Sequence, residues 1–367
     1  MNYLYKDKIL LIAMIVAIFS IFFVKPSLAY IDYISFKVLI GMFGLMLAVA
    51  GLYEVNFFSF VTAQLLKYFR NIKIIALVII LTTFFLGMLM TNDAVLLTLV
   101  PFSVFVYKEL NQEKYIILTV ILQTLAANLG SALMPMGDPQ NIYLYTQFNI
   151  PFMVFIKTML PVTITGLVLI VITTLLLFPS IKCSPYQKEI KLEDFRVIGY
   201  GIVLFISIAC ILGLVSNLLI LGSVLVVTLL LNFRLFNRVD YGLLITFVMF
   251  FIFSGNFSQL TYVQHMATRV LSTNDSVYYS GLILSQFISN VPSAVLLSTF
   301  APSHHILSLL QGVNVGAMGT MIASLASLIT FKFIVKEYPH EIRNYLIKYS
   351  LICIVYITVI TVVILYI

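Results

Sequence analysis

Four asparagines interrupt apolar stretches of the chain, where a polar side chain is costly unless it has a partner. They are Asn92, Asn128, Asn290 and Asn314, and an acid follows the first of them directly as Asp93. Amide, hydroxyl and carbonyl oxygens suit a hard cation such as Na⁺, whereas helix N-termini suit an anion. These residues therefore indicate binding of small ions, and the chain has no Ser/His/Asp, H-E-x-x-H or Gly-rich phosphate-loop pattern.

The composition is that of an integral membrane protein. Of the 367 residues, 62% are apolar and 10% are charged, whereas a soluble domain has about 45 to 50% apolar and about 25% charged residues. Cys183, Cys210 and Cys353 lie too far apart in sequence to indicate a disulfide framework or a zinc site. The net charge of +7 does not imply a nucleic-acid partner, because in a membrane protein the placement of Lys and Arg matters more than their sum.

The apolar runs predict an all-α polytopic protein. A helix needs about 20 apolar residues to cross a bilayer, and plain crossings are predicted at 9–24, 35–53, 153–178, 197–215, 217–232, 241–256 and 348–367. With a cytoplasmic N-terminus, the 21 Lys and Arg residues all face the cytoplasm except Lys25, Lys37, Lys157 and Arg269. This bias is the positive-inside rule, so we expect a multi-pass protein of the cell membrane. The first run also fits a cleaved signal peptide, but we interpret it as a retained helix.

Four further segments carry the polar residues at their centres. Two are predicted to be hairpins that enter and leave the membrane on one face, 74–107 around Thr91-Asn92-Asp93 and 276–301 around Ser289-Asn290. Two are predicted to be crossings broken near mid-membrane: 115–147, at Asn128 to Ser131 with Gly137-Asp138-Pro139, and 307–336, at Asn314 to Gly316 with Thr320. Irregular backbone at this depth must be buried or line a watery cavity.

The order of elements in 35–178 recurs in 241–367 from the opposite side of the membrane, which predicts an inverted-topology repeat. Residues 1–34 are then an N-terminal transmembrane helix, and 179–240 a linker with two transmembrane helices. In sequence, 90–102 aligns with 288–300 and 127–141 aligns with 313–327, each without a gap. Many secondary transporters have this architecture and bind their substrate where broken helices meet.

The motifs resemble those of the ion transporter superfamily. They are Thr91-Asn92-Asp93, Asn128-Leu129-Gly130 with Gly137-Asp138-Pro139-Gln140-Asn141, Ser289-Asn290-Val291-Pro292, and Asn314-Val315-Gly316. That clan holds divalent anion/sodium symporters, citrate permeases, arsenite efflux permeases and a type of Na⁺/H⁺ antiporter. The resemblance implies a secondary transporter of a small anion, a di- or tricarboxylate or an oxyanion, in which a moving domain slides as an elevator against a dimeric scaffold. Na⁺ or H⁺ is the expected coupling ion, and a homodimer is the expected assembly.

Two departures from the symporter pattern leave alternatives open. Asp93 follows the first motif asparagine, and Val291 follows the second where a hydroxyl is expected. The Gly137-Asp138-Pro139 triplet is nearer to the arsenite and antiporter branch, so arsenite efflux and Na⁺/H⁺ exchange remain alternatives. A more distant alternative is an intramembrane enzyme that uses Asp93 and Asp138 as a pair of carboxylates.

The resemblance also implies which residues act. The predicted substrate ligands are Asn92, Asn128, Gly130, Asn290, Asn314 and Gly316, with Na⁺ expected at Asn92 and Asn290. The predicted ion-coupling residues are Thr91, Asp93, Asp138, Ser289, Ser131 and Thr320.

Asp93 and Asp138 are the carboxylates that the predicted topology places at the membrane midplane. An ionised Asp there costs about 2.5 to 3.5 kcal/mol, so each should be protonated, cation-bound or hydrogen-bonded. Asp138 has a second possible role, as the N-cap of a helix that begins at Pro139. The aligned positions in the second unit are Val291 and Ser324, so the coupling ion is predicted to bind mainly in the first.

Overall fold

The protein is described by a computed structural model that covers residues 8–183, 190, 192 and 195–366. Within these residues every regular element is helical, apart from one isolated backbone bridge between Asn71 and Lys182. By length and composition, five helices can cross a membrane, or six if one sharply bent pair is counted as a span. The predicted all-α polytopic membrane fold is confirmed.

The α-helices of the described residues follow one another in this order: α1 (Lys8–Ile21), α2 (Ala29–Tyr33), α3 (Phe36–Glu54), α4 (Phe57–Leu66), α5 (Ile72–Leu89), α6 (Asn92–Glu109), α7 (Ile116–Ala132), α8 (Pro139–Gln147), α9 (Phe152–Leu177), α10 (Arg196–Ile211), α11 (Asn217–Leu231), α12 (Tyr241–Phe257), α13 (Thr261–Val270), α14 (Asn274–Ile288), α15 (Asn290–Ser298), α16 (Ile306–Gly316), α17 (Leu325–Glu337) and α18 (Ile342–Tyr366).

One group of packed helices, called the wall below, consists of α1, α3, α10, α11 and α12. Helix α3 packs against α10 and α11, and α1 packs against α12. The amide of Asn256 in α12 donates to Ser20 Oγ at 2.9 Å and to Tyr30 Oη at 2.8 Å, so the first helix is tied to the packed body. Helix α13 turns away from α12 by 98° and has no buried residue, as an amphipathic helix at the membrane surface would.

The helix pair α5–α6 begins and ends near the same end of α9. At its start, Lys73 Nζ donates to the carbonyl oxygen of Leu175 at 2.8 Å. At its finish, a short connection leads to Tyr115, whose ring packs against Phe178 directly after α9, with the ring centroids 5.7 Å apart. The two helices therefore form a hairpin whose tip lies at Met90 and Thr91.

The pair α14–α15 opens toward the other end of α9. Its first residue, Asn274, is hydrogen-bonded to His305 in the turn that follows α15, so both ends of this pair lie together. In the next helix, Gln311 Nε2 donates to the carbonyl oxygen of Thr158 at 2.9 Å, close to the start of α9. The two hairpins thus enter the helical body from opposite ends of α9.

The two remaining segments are broken at the second part of each predicted break, at Gly137-Asp138 and around Thr320, but not at the asparagines. Helix α7 continues through Asn128, Gly130 and Ser131 and ends at Ala132, and α16 continues through Asn314 to Gly316. The irregular stretches are 133–138 and 317–324. The polar side chains do not end the helix because they have partners: Ser131 Oγ, for example, donates to the carbonyl oxygen of Asn128 within the same helix at 3.0 Å.

A buried glutamine joins the first hairpin to α7. Gln123 Nε2 donates to Thr83 Oγ1 of α5 at 3.1 Å and to the carbonyl oxygen of Leu99 of α6 at 3.3 Å. Its Oε1 accepts from Ser103 Oγ at 2.9 Å. All three helices are thereby held in one arrangement, which fixes where the hairpin tip lies.

Candidate ion and substrate site

The tip of the first hairpin is bonded to both parts of the first broken helix. Asn92 is the first residue of α6, and its Nδ2 donates to Asn128 Oδ1 of α7 at 2.8 Å. Its backbone N–H donates to the carbonyl oxygen of Gly137 in the break, at an N···O distance of 3.3 Å. Its Oδ1 accepts from the backbone N–H of Asp93 at 2.8 Å. Asn92 is 2% exposed, so the polar groups that make these bonds are buried and have hydrogen-bond partners.

The tip of the second hairpin has the same construction. The backbone N–H of Asn290 donates to the carbonyl oxygen of Ala323 in the second break at 2.9 Å, and Asn290 Oδ1 accepts from the backbone N–H of Val291 at 2.9 Å. Ser289 joins the two helices with φ of +77°, a conformation that costs a non-glycine residue about 1 to 3 kcal/mol. Such strain persists only where the surrounding structure imposes it.

The bonds at the two tips occupy positions that the sequence repeat aligns. Asn92 aligns with Asn290, and Gly137 aligns with Ala323. The backbone bond from Asn92 to Gly137 therefore has its counterpart in the bond from Asn290 to Ala323. Chance alignment of apolar sequence would not be expected to place the same hydrogen bond at both aligned pairs.

The two halves of the chain are also bonded to each other at the breaks. Asn128 Nδ2 donates to Ser324 Oγ at 3.3 Å, and Asn314 Nδ2 donates to Asn141 Oδ1 at 2.7 Å. Gln140 Nε2 donates to Asn314 Oδ1 at 3.3 Å. The four predicted asparagines thus lie in these tip and break networks, with Gln140, Asn141 and Ser324 as further members. The motif that carries Asp138 already contained Gln140 and Asn141, and the sequence repeat already aligned Ser324 with Asp138.

Asp138 lies at the N-cap position of α8, with Pro139 as the first helical residue, as the alternative interpretation predicted. Its side chain makes no capping bond. Instead, Asp138 Oδ2 accepts from Ser131 Oγ at 2.9 Å, and the side chain is buried. The carboxylate therefore faces the end of α7 and does not stabilise the helix terminus.

Asp93 lines a cavity of about 350 Å³, within the size range of small-molecule sites. Its Oδ1 is buried and has no hydrogen-bond partner among the described residues. One wall of the cavity is formed by α3 and by residues at the start of α12, and the other by the hairpin tip and the starts of α8 and α17. The lining residues are Met46, Val49, Ala50, Tyr53, Thr91, Asp93, Ala94, Leu97, Pro139, Arg238, Asp240, Leu243, Leu325 and Ile329.

Helix N-termini give this cavity a positive potential at one wall. The starts of α6, α8 and α17 all contribute lining residues, namely Thr91, Asp93 and Ala94, Pro139, and Leu325. Backbone N–H groups at a helix start carry about half a positive charge and favour an anion. The side chains of Arg238 and Asp240 add one positive and one negative charge to the lining of the cavity. They were not predicted as site residues, because the sequence placed both at the cytoplasmic end of a crossing.

Three predicted site residues lie apart from the tips. Thr320 is exposed, and its hydroxyl and N–H both bond to Gln286: Thr320 Oγ1 donates to the Gln286 carbonyl oxygen at 2.9 Å, and Thr320 N–H donates to Gln286 Oε1 at 2.8 Å. A Cβ at Gly130 would meet the backbone carbonyl of Phe84, and one at Gly316 would meet that of Leu282. These two glycines therefore allow close packing of α7 on α5 and of α16 on α14.

Unpartnered oxygens mark where a cation could bind. Asn92 Oδ1 and Asn290 Oδ1, the predicted Na⁺ ligands, each already accept a backbone N–H. Asp93 Oδ1 and Gln140 Oε1 are buried and have no donor within the described part of the chain. The same part contains no group of three His, Cys, Asp or Glu residues that would suit a transition metal. Oxygen ligands of this kind suit an alkali cation or a proton.

Comparison with known proteins gives a consistent result. A family described as "Citrate transporter" matches residues 4–311. The chain is 30% identical over 303 residues to an uncharacterized transporter of Methanocaldococcus jannaschii, with 82% of this chain and 81% of the relative covered. It is 29% identical over 304 residues to the inner membrane protein YbiR of Escherichia coli, with 82% and 80% covered.

A shorter likeness joins the chain to a protein of Dictyostelium discoideum named as a transporter, arsB. The two are 27% identical over 145 residues, which is 40% of this chain and 25% of the relative. The predicted resemblance to the ion transporter superfamily is confirmed by these matches. The family and the relatives named by activity are transporters and not enzymes, so an intramembrane enzyme built on Asp93 and Asp138 is excluded.

Proposed function

We propose that this chain, which belongs to the citrate transporter family, is a secondary active transporter of a small anion, a di- or tricarboxylate or an oxyanion, coupled to Na⁺ or H⁺. One observation carries the proposal: three helix N-termini and an unpartnered carboxylate, Asp93, line the same cavity. Helix N-termini of broken helices bind anionic substrate groups, while acids and carbonyls bind the coupling ion.

The coupling follows from charge. An anion and an ionised Asp93 in one cavity repel each other, so the anion binds well only when a cation or a proton neutralises that carboxylate. Asp138, bonded to Ser131 at the end of α7, is the second position at which a coupling ion binds. Binding of the anion and binding of the coupling ion then favour each other, as symport requires.

The architecture supports an elevator movement. The hairpins enter from opposite ends of α9, in agreement with an inverted repeat of 35–178 and 241–367. Each tip is bonded to a break, so the hairpins and the broken helices form one body. The cavity lies between part of this body and the wall at α3 and the start of α12, and the two are in contact elsewhere, through α3 with α8 and α12 with α15. We propose that the body slides along that wall, and that the wall helices form the contact of a homodimer.

A second candidate function is exchange of a cation for H⁺, or arsenite efflux. The observation that favours it is the unpartnered Asp93 Oδ1, because an acid of this kind would also bind a cation in an antiporter. The likeness to the transporter named arsB supports the efflux alternative.

Uptake by purified protein in proteoliposomes tests the proposal. Labelled citrate, succinate and sulfate are offered under an inward Na⁺ gradient, an inward H⁺ gradient or neither. We expect accumulation of one anion only with a gradient, and its loss in N92A and N290A. The control is N344A, which removes the amide bonded to Glu341 at 2.6 Å outside the site.

Other outcomes of the same experiment decide against the proposal. Unchanged uptake by N92A and N290A would refute the site. A pH change inside the vesicles driven by Na⁺ alone, with no anion required, would establish antiport.

The placement of the protein in the cell membrane with its N-terminus in the cytoplasm is also part of the proposal, and the distribution of Lys and Arg supports it.

A further inference from the structure

Arg238 is the only cation among the described residues that line the cavity. It is the last residue of the 3₁₀ helix Phe233–Arg238, which connects α11 to α12. The predicted repeat and its motifs give this residue no role. Its position, across the cavity from Asp93 and from the helix starts, suggests one.

The segment that carries Arg238 is held firmly against α3. Leu235 and Val239 are buried on either side of it, and the ring of Phe236 stacks on Phe43 of α3 with the centroids 6.3 Å apart. The Arg238 side chain itself is exposed. The 3₁₀ helix therefore fixes where the backbone of Arg238 lies, and the exposed guanidinium is accessible to a ligand, although ordering its side chain costs part of the binding free energy.

The donors of Arg238 are free. Within the described residues its guanidinium has no ion pair and no hydrogen bond, whereas Arg196 on the same side of α3 pairs with Glu54 at 3.5 Å. Asp240, the nearest acid in sequence, uses its Oδ1 to cap α12 through the N–H of Leu243 at 3.0 Å. A guanidinium with free donors matches the two oxygens of a carboxylate.

We propose that Arg238 binds a carboxylate of the transported solute at the cavity and thereby selects ionised carboxylates over neutral solutes such as undissociated arsenous acid. The inference rests on the proposed anion transport and narrows its substrate class. The solute then spans the cavity, with one carboxylate on Arg238 and its remaining negative charge toward the starts of α6, α8 and α17. Asp93, occupied by the coupling ion, no longer repels it.

Transport kinetics of matched variants test this role. In proteoliposomes, R238A should raise the apparent KM for citrate about tenfold, the equivalent of about 1.4 kcal/mol. R238K should raise it about threefold, since lysine keeps the charge but not the two-pronged geometry. The control is R234A, because Arg234 lies in the same 3₁₀ helix, is also exposed and does not line the cavity. Its KM should equal that of the wild type.

A labelling experiment gives a readout that does not depend on transport. R238C and R234C are made with Cys183 replaced by Ser, since the other two cysteines are buried. Each is treated with a membrane-impermeant, negatively charged methanethiosulfonate reagent. Because R238C itself lacks the guanidinium, citrate is added well above the raised KM; together with the coupling ion it should then slow the labelling of R238C and leave that of R234C unchanged.

The outcomes separate failure of this inference from failure of the proposed function. Equal KM values for R238A and R234A, with no protection of R238C by citrate, would overturn the role of Arg238 while anion transport stands. Wild-type vesicles that accumulate none of citrate, succinate and sulfate would overturn the proposed function, and this inference with it. If R238A loses uptake altogether, its thermal midpoint must match the wild type and R238K must restore part of the uptake; otherwise the inference is wrong.

Discussion

Replacing Asp93 by Asn should stabilise the protein and weaken its response to the coupling ion. The carboxylate has one buried oxygen without a donor, at the first turn of α6. An ionised Asp at mid-membrane costs about 2.5 to 3.5 kcal/mol on insertion scales. Because the side chain of Asp93 is half-buried and partly faces the cavity, we discount this cost to about 1 to 2 kcal/mol. D93N removes the charge and keeps the shape.

The expected effect is a rise of the thermal midpoint in K⁺ buffer by about 2 to 4 °C. In the wild type, Na⁺ at about ten times its dissociation constant should add about 1.4 kcal/mol, since a ligand of the folded state raises stability. D93N should show a smaller addition, because Asp138 is then the one remaining position for the coupling ion. If the coupling ion is H⁺, the wild-type stabilisation appears on acidification instead, and it should be smaller in D93N.

The assay uses the cysteines. The chain has no Trp, but Cys210 and Cys353 are buried thiols, so a thiol-reactive fluorophore reports unfolding of the detergent-purified protein. The matched control is D275N, which replaces an exposed acid in the first turn of α14 that does not line the cavity. Its Na⁺ response should be that of the wild type. A lower midpoint for D93N in K⁺, or an undiminished Na⁺ response, would refute the reasoning.

Four further substitutions test the packing and the tips. Gly130→Ala and Gly316→Ala should destabilise the protein by about 1 to 3 kcal/mol, because the added methyl group meets a backbone carbonyl. Gly222→Ala is the control, because Gly222 has open space around it. Thermal midpoints equal to that of the control would contradict the close packing. Ser289→Gly should raise the thermal midpoint by the equivalent of about 1 kcal/mol, since glycine adopts positive φ without strain. Ser289→Ala should not raise it. A midpoint that falls in the glycine variant alone would show that the strain is absent. Ser131→Ala removes the donor to Asp138 and should cost about 1 to 3 kcal/mol, measured as a lower midpoint in K⁺ or as a shifted Na⁺ dependence; a variant identical to the wild type in both would show that Asp138 does not need this bond.

The long apolar helices could be predicted from sequence because their length is set by the membrane. The crossing predicted at 153–178 is α9, Phe152–Leu177, and the one predicted at 35–53 is α3, Phe36–Glu54. The hairpin tips could be located because the polar residues there, such as Asn92, have no other reason to lie inside an apolar run. In each case a local pattern of hydropathy carries the information.

The breaks and the cavity could not be predicted in the same way because they depend on distant parts of the chain. Asn128 lies inside α7 since Asn92 and Ser324 satisfy its side chain, and no local signal shows that these partners exist. Arg238 reaches the cavity because its 3₁₀ helix packs on α3, while its sequence resembles that of an ordinary cytoplasmic turn. Thr320 was assigned to the site from its type alone, and its partner, Gln286, lies on another helix.

The difference between the two tips indicates where coupling takes place. The backbone bonds at aligned positions are the same, so the repeat supplies one framework twice. The charges are not repeated: Asp93 aligns with Val291, and Asp138 aligns with Ser324, which caps α17 through the N–H of Ser327 at 3.1 Å. The second break therefore uses its residue to stabilise a helix, whereas the first leaves a carboxylate free of that task. A transporter in which both breaks bound a coupling ion equally would have no reason for this asymmetry, so we place the coupling ion at the first.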